Sequence, residues 1–575
     1  MALTPEESAK LDELNNALRE STNVNRSVLQ AVQDNIGMKE ALEANAANIA
    51  DIQNASENAI SAKADAGRAE KAAATAVAHS FNVLEKSIET TYALARTGKV
   101  YGVKIPLYTQ NTTTVCEKIL DNAGLVHELS TETTEGRDDY ADIPLFQWMY
   151  VNYVRDEDGS PRPVAIEGTE TFRTKDCDVG AMQMSFYVGM DRSESGYQTL
   201  MISDSPHPEL GLVPWCECVT ADGRVLPWCI GSAVASSRGT DGNLYSQLGG
   251  LVEAWMSYMK CETEYQKKGK GYHGAGIERN TFGMIFDLIK NASKSSQSTA
   301  LGCTQFDVMA KCTTAVGKTK RIVLATSDAE RFAIGDVVVA GTTTAEEETS
   351  WANDRNYAYN RNVTGDTGAV IKAIDFIDEG HKALVLDVQN TFDTKAGVGG
   401  QTRVYSWYPQ AGSTARVYGH HDGHVANNGR WPHRIQGREY LVGGYVVGAG
   451  AVIEQAPDYN KPLWIRAKGT AHSNSESVIK STYKRVATIP GGSAESWHIG
   501  DVDFDFATGT WWPLSQGGSS TTGRGDYFYG AQSATSGTRE FLQGGHLWSG
   551  SDAGLSCLFG WTALSYASWH LAAAD

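Results

Sequence analysis

The stretch Asn280 to Ala292, NTFGMIFDLIKNA, sets Phe282, Met284, Ile285, Leu288 and Ile289 on one face of a helix. On both sides of it the texture is different. Val100 to Leu107, and Asp142-Ile143-Pro144-Leu145-Phe146 leading into Met149-Tyr150-Val151, are short alternating runs, and the turns DEDG and ADGR punctuate the region, so strands and hairpins are expected. A second helix is expected over Leu244 to Met259. Helices set among strands without regular alternation give an α+β class.

Beyond this region the pattern becomes purely β. Arg321-Ile322-Val323-Leu324, Gly335 to Val339, Ala369 to Ile377 and Ala383 to Val388 are separated by polar turns. A small all-β domain inserted at 307–404 is expected, dividing a larger head into 98–306 and 405–575. The whole chain of 575 residues is too long for one core. With 58 Gly against 15 Pro it has the composition of a globular protein with many tight turns.

The N-terminal residues differ again. Thr4-Pro5-Glu6-Glu7 combines an N-cap, a Pro at the first helical position and a Glu three residues after the cap. Leu11, Leu14 and Leu18, then Val28, Val32, Leu42, Ile49 and Ile52, follow at helical spacing, with an Ala-rich run from Ala72 to Ala78. So narrow a stripe on a polar helix calls for partner copies, and residues 1–97 are read as a helical coiled-coil oligomerisation stalk. A monomeric helical hairpin or bundle is the other reading. MALTPEESAKLDEL lacks the apolar core of a signal peptide, and no run reaches membrane-spanning length, so synthesis in the cytoplasm and no membrane insertion are expected. The net charge of −18 argues against a nucleic-acid partner, because phosphate binding needs clustered Lys and Arg.

The last stretch, Gly544 to Asp575, reads GGHLWSGSDAGLSCLFGWTALSYASWHLAAAD and follows neither helical nor strand period. Tyr and Trp supply rigid amphipathic contact, and Ser and Gly supply adaptable hydrogen bonds, which is the composition of a recognition surface. The alternative is a buried C-terminal strand. No lysine follows Lys484 and no asparagine follows Asn474, while five of the 14 Trp lie after Thr510. Trp548, Phe559, Trp561, Tyr566 and Trp569 are the expected stacking residues, with Ser549, Ser551, Ser568 and His570 as hydrogen-bonding partners.

Several segments, taken in order, carry a resemblance. They are Asp142 to Phe146; Leu226-Pro227-Trp228-Cys229-Ile230-Gly231 with Val234-Ala235-Ser236; and Phe282 to Phe286 through Ser295-Ser296-Gln297-Ser298. Asp422-Gly423-His424 with Asn428-Gly429-Arg430 and Pro432 to Glu439 come next. Asp526 to Tyr529, Gly544-Gly545, Trp548, Gly550 and Ala553-Gly554-Leu555 complete the set. Together they resemble the C-type lectin-fold tail-fibre and tail-tip receptor-binding proteins of bacteriophages, a group that includes tropism determinants varied by diversity-generating retroelements. The resemblance spans Val100 to Asp575 around the β insert. It implies a homotrimer on an N-terminal stalk held by other phage tail proteins, located in the virion, with a head that binds a host-surface glycan or protein. In this sequence Tyr440 stands where the family has Asn. The Asn-rich positions of diversified members are absent after Ala553-Gly554-Leu555, as are the calcium-binding Glu-Pro-Asn and Trp-Asn-Asp triplets of sugar-binding lectins. No cofactor or resident metal is implied.

Three constellations bear on chemistry. His420-His421-Asp422-Gly423-His424 groups three imidazoles and a carboxylate, but as a glycine-rich loop it is read as solvated or packed rather than metal-binding. Cys216, Cys218 and Cys229 lack a fourth zinc ligand at finger spacing, and the nine cysteines are read as free thiols. Asp501, Asp503 and Asp505 alternate along one run and are the carboxylates a tail-associated glycan depolymerase would draw on. Depolymerase activity and a purely structural tail-tip or baseplate role are the alternatives to a non-enzymatic adhesin.

Overall fold

The computed structural model describes residues 10, 83–344, 355, 358–397, 399–416, 422, 428–455, 460–468, 470–491, 496–530 and 537–575. Strands dominate them. A nine-stranded sheet runs, edge to edge, from Lys484–Ile489 through Lys461–Ile465, Tyr445–Gln455, Gly537–Gln543, Leu558–Gly560, Tyr527–Gly530 and Ser496–Asp505 to Thr510–Gln516, with Leu571–Ala572 added in parallel to Tyr445–Gln455. A five-stranded sheet around Val100–Pro106 and a four-stranded sheet around Trp148–Arg155 complete the main body.

The helix Glu278–Asn291 lies at the centre. Its Phe282, Ile285, Phe286 and Ile289 join one core with Tyr101, Val103 and Leu200 of the five-stranded sheet and with Ile453, Phe528 and Phe541 of the nine-stranded sheet. Every residue from Arg279 to Lys290 is buried. A helix apolar on one face only would leave its polar side wet, so here the polar side chains find partners inside. Lys290 pairs with Asp138 at 3.0 Å and Asp422 at 3.1 Å, and Arg279 donates to the Ser232 and Glu439 carbonyls.

Residues 309–406 make a six-stranded antiparallel sheet of their own, in the order Met309–Lys311, Thr402–Ser406, Val337–Thr342, Ala369–Asp378, His381–Leu386, Arg321–Ala325. It does not stand apart from the rest. Trp407 and Tyr408 share a core with Trp148, Val446 and Trp569, and the Tyr408 hydroxyl donates to the Trp569 carbonyl at 2.7 Å.

The structure corrects the expected class of an α+β fold with a coiled-coil stalk and a C-type lectin head. Among the described residues the chain is mainly β, its helices are short and no long coiled coil occurs. Residues 83–95 are helical, but their apolar stripe is satisfied within the chain. Leu84, Ile88 and Tyr92, four residues apart, are 2%, 0% and 1% exposed and pack on Met149, Val151, Met182, Met184, Trp228 and Ile230 of the four-stranded sheet. Asp204 then accepts from the Thr97 and Gly98 amides at 2.7 and 2.9 Å, fixing the chain as it leaves this helix. The helix start at Thr4 and the apolar stripe from Leu11 to Ala78 lie outside the described residues, which before 83 include Lys10 alone.

Two local expectations also change. Most of Leu244 to Met259, up to Ser257, is not helical. Gly249 has φ +74°, and a Cβ on Gly250 would stand 1.8 Å from the Ser237 hydroxyl, so the chain is threaded too tightly there to coil. Helix begins only at Tyr258, capped by Ser257, and ends at Tyr265. Asp142 to Phe146 is not a strand: Pro144–Phe146 is a short 3-10 turn that delivers the chain to the strand Trp148–Arg155. Among the described residues, no helix is long and apolar enough to cross a membrane.

The packing of residues 83–95 gives a direct test. Ile88→Ala should lower unfolding free energy by about 2–5 kcal/mol, measured by urea denaturation, because it opens a cavity under a sheet. A surface stalk in its place would give almost no change in a dilute monomer.

Candidate functional site

The chain crosses the centre of the nine-stranded sheet at Leu558–Gly560, leaves it at Trp561, and returns at Leu571–Ala572. The excursion of residues 561–570 is therefore pinned at both ends. Inside it, the Glu540 amide donates to the Thr562 carbonyl at 3.0 Å, Trp255 to Ser568 at 3.1 Å and Tyr445 to His570 at 2.8 Å. The glycines that precede it are scaffold. A Cβ on Gly554 would lie 2.0 Å from Asp526 Oδ1, and Asp526 accepts from the Ser556 amide and hydroxyl at 2.8 and 2.6 Å.

The excursion and the segment before it bring rings together in a continuous cluster. Trp548 meets Trp569 edge-on at 5.2 Å and His546 at 5.0 Å. His546 lies 5.1 Å from Tyr445, which lies 5.1 Å from Phe559. Phe559 stacks with Trp561 at 6.3 Å, and Tyr566 sits 6.1 Å from His570. Such contacts hold ring orientation and each contributes about 0.5–1.5 kcal/mol beyond area burial. The Arg355 guanidinium, from the six-stranded region, sits 4.7 Å from the Trp569 ring and 5.6 Å from Trp548.

Exposure divides the expected ligand residues. Trp548, Trp561 and Tyr566 are open to solvent at 51%, 51% and 38%, and Ser551 is exposed. Ser549, Phe559 and His570 are half-buried. Ser568 and Trp569 are buried, at 1% and 0%, and this corrects their expected role as contact residues. Trp569 is wedged between Trp407, at 5.7 Å, and Trp548, so it supports the surface from behind. Tyr529 and Tyr445 belong to the same cluster, and His546 joins them. Sequence reading passed over these three because the first two lie on regular strands, where an aromatic is ordinary core. Burial, reinforced by the neighbouring His570, lowers the His546 pKa to about 3, so its imidazole is neutral at neutral pH.

The other constellations have structural work. Asp501 accepts the Tyr108 amide at 2.9 Å and the Ser515 hydroxyl at 3.0 Å, Asp503 is paired with Arg192, and Asp505 accepts the Ala507 amide at 3.1 Å. No two of them are arranged across a cleft from each other, as glycoside hydrolysis requires. His420, His421 and His424 lie outside the described residues; Asp422 is buried, pairs with Lys290 and accepts the Gln436 amide at 2.6 Å. All nine cysteines are free, and Cys177 alone among them is not buried. No group of three or more His, Cys, Asp or Glu able to hold a metal occurs among the described residues.

Sequence reading missed a cavity of about 550 Å³, lined by charged side chains from Arg155 to Asp575 and sharing no residue with the aromatic face. Its walls come from segments hundreds of positions apart, so no local motif announces it.

No family model matches the chain. Aldehyde dehydrogenase 9 of Polyandrocarpa misakiensis is 30% identical over 105 residues, which is 18% of this chain and 41% of that protein. The chain thus spans less than half of that relative's length.

Glu540 lies beneath the excursion, accepting from the Tyr258 amide at 2.8 Å and the Thr562 hydroxyl at 3.1 Å. Burial raises its pKa from 4.5 to about 8 against the pull of those two donors. The folded state therefore holds a proton that the unfolded state releases, and stability falls as pH rises from 4.5 to about 8. Glu540→Gln keeps the bond accepted from the Tyr258 amide, can donate an N–H to the Thr562 oxygen in place of the other, and removes this dependence. The stability difference between variant and parent, from urea unfolding at a series of pH values, should grow by up to about 1.4 kcal/mol per pH unit across that window. A difference independent of pH would contradict the assignment.

Proposed function

We propose that this protein is a receptor-binding protein of a bacteriophage tail, which grips a host-surface glycan or protein with the aromatic face around Trp548, Trp561 and Tyr566. The observation that carries the reading is the arrangement of that face. Three large rings are exposed against a backing of the buried Trp569 and the half-buried Phe559 and His570, which holds their orientation, so contact costs little conformational entropy. Hot-spot residues of interfaces have this character: rigid aromatics near the centre, with adaptable hydroxyls such as Ser549 and Ser551 around them. The order of motifs along the chain, from Trp228 to Ala553-Gly554-Leu555, supports the phage assignment.

In this reading the protein works in the virion after synthesis in the host cytoplasm, binds without catalysis and carries no cofactor. Residues before 83 attach it to other tail proteins. Copies gather as a homotrimer, and three faces acting together convert weak single-site affinity into avidity. A neutral, aromatic surface suits the apolar face of a sugar ring or a protein loop better than a polyanion, in keeping with the net charge of −18.

Trp561→Ala and Tyr566→Ala should each weaken adsorption to host cells about tenfold or more. Their unfolding free energies should change far less than that of Trp569→Ala, by about 1 kcal/mol or less, since both side chains are partly open to solvent. Trp569→Ala, in contrast, should cost about 3–5 kcal/mol of stability. Unchanged adsorption in the first two variants would remove this surface from the binding role.

A further inference from the structure

The cavity of about 550 Å³ falls in the size range of small-molecule sites and carries equal numbers of Lys/Arg and Asp/Glu side chains in its walls. Most of these charges are matched. Arg438 pairs with Glu217 at 2.9 Å and Arg155 with Asp575 at 3.2 Å, while Lys468 donates to the Cys216 and Val219 carbonyls at 2.8 and 2.5 Å.

Arg466 and Glu278 are two opposite charges without an ion pair among the described residues; a third charged group, Glu262, raised by burial, is drawn down by Arg466 from beyond ion-pair distance, accepts from Gln266 and faces the neutral His472. Arg466 donates from Nη1 to the Thr470 carbonyl at 2.5 Å, but its buried Nε has no hydrogen-bond partner. Among the described residues no carboxylate comes within ion-pair distance of it. Glu278 opens the central helix, and its carboxyl is held by its own backbone N–H with no cation in ion-pair reach among the described residues. Burial raises its pKa, and nearby Glu217 adds to the effect.

Two glycines pack closely against Glu278. A Cβ on Gly276 would lie 1.9 Å from its Oε2, and a Cβ on Gly509, where φ is +69°, would lie 2.5 Å from its Cβ. A side chain at Gly276 would push the carboxylate aside, and one at Gly509 would press on the Glu278 stem and on Cys216. Ile230, Ile277, Ile465 and Ala449 supply apolar wall between the charged groups. The two histidines nearest Arg466 do not compete with it for an anion. Burial first, and Arg466 second, depress His273 to about 3 and His472 to about 2, so both are neutral.

A lining of zero net charge disfavours a polyanion such as a nucleotide. A guanidinium and a carboxylate that feel opposite charges only from beyond ion-pair distance, in one chamber, suit a ligand bearing both complementary charges. We propose that this cavity binds a small zwitterion of the amino-acid or short-peptide type, its carboxylate on Arg466 and its ammonium on Glu278, with an apolar side chain against the isoleucines. The site is separate from the aromatic face, so binding here stands or falls independently of host adsorption.

The test is ligand-detected saturation-transfer NMR on the full-length protein, using pools of the common L-amino acids and dipeptides, followed by titration of any binder. At least one zwitterion should bind, and its C-amidated and N-acetylated forms should each bind about tenfold more weakly or worse. Arg466→Gln should weaken the free ligand while erasing the penalty for amidation, and Glu278→Gln should erase the penalty for acetylation. This pattern of compensation separates ligand contact from a folding defect, and Arg466→Lys, which keeps the charge, should retain part of the affinity. No zwitterion bound by the parent, equal binding of the blocked forms, or binding of inorganic phosphate alone would overturn the proposal.

Discussion

A buried guanidinium organises this molecule. Arg438 is 1% exposed, pairs with Glu217 at 2.9 and 3.0 Å, and lies 3.6 Å from the Phe282 ring. A Cβ on Gly231 would stand 2.2 Å from its Cζ, so the strand Trp228–Ser232 approaches it without a side chain between. One residue thereby fixes four pieces of chain: the four-stranded sheet, the turn at Cys216–Cys218, the central helix and the hairpin that carries Arg438 itself. A charge with so little solvent is tolerated only when paired, and breaking such a pair costs about 3–5 kcal/mol. The neighbouring Glu439 is held in the same way by the Gly412 and Thr414 amides at 2.9 and 2.8 Å.

The hairpin's turn makes this placement possible. Gln436 and Gly437 both have positive φ, 47° and 74°, the geometry of a type I′ connection between His433–Ile435 and Arg438–Tyr440. Gly437 lies flat on Trp148, where a Cβ would come within 2.5 Å of the ring. From this anchor the chain passes through Leu441 and Gly443 into the strand Tyr445–Gln455, the spine of the nine-stranded sheet. The same spine accepts Leu571–Ala572 in parallel and so holds the far end of the excursion that displays Trp561 and Tyr566. The rigidity of the exposed rings is thus a consequence of a core that begins with a buried charge.

Parts of this were legible in the sequence. The helix around Phe282 showed itself because its apolar residues keep a helical period, and the strands within 309–406 because they are β-branched and separated by polar turns. Trp548, Trp561 and Tyr566 stood out by composition, since large aromatics among Ser and Gly are uncommon in a core. What failed did so for physical reasons. The stripe Leu84, Ile88, Tyr92 has the same spacing whether it meets a sister helix or a sheet of its own chain, and periodicity cannot tell the two apart. Leu244 to Met259 was apolar enough for a helix, but Gly249 and Gly250 are threaded against Ser237. Trp569 could not be told from Trp561 by residue type, because burial depends on the Trp407 side chain, far away in the chain. Asp501 and Asp503 are held by Tyr108 and Arg192, likewise invisible locally. The charged cavity was illegible for the same reason: its walls meet only after folding.

A role as an adhesin requires the rigid aromatic face to touch the host surface. Hydroxyl-radical footprinting of the assembled protein, free and bound to host envelopes, tests it most directly. Trp548, Trp561 and Tyr566 should lose most of their oxidation on binding, while Phe376, which is 69% exposed on the six-stranded region, should keep its own. Oxidation of the three rings that is unchanged by bound envelopes would contradict that role.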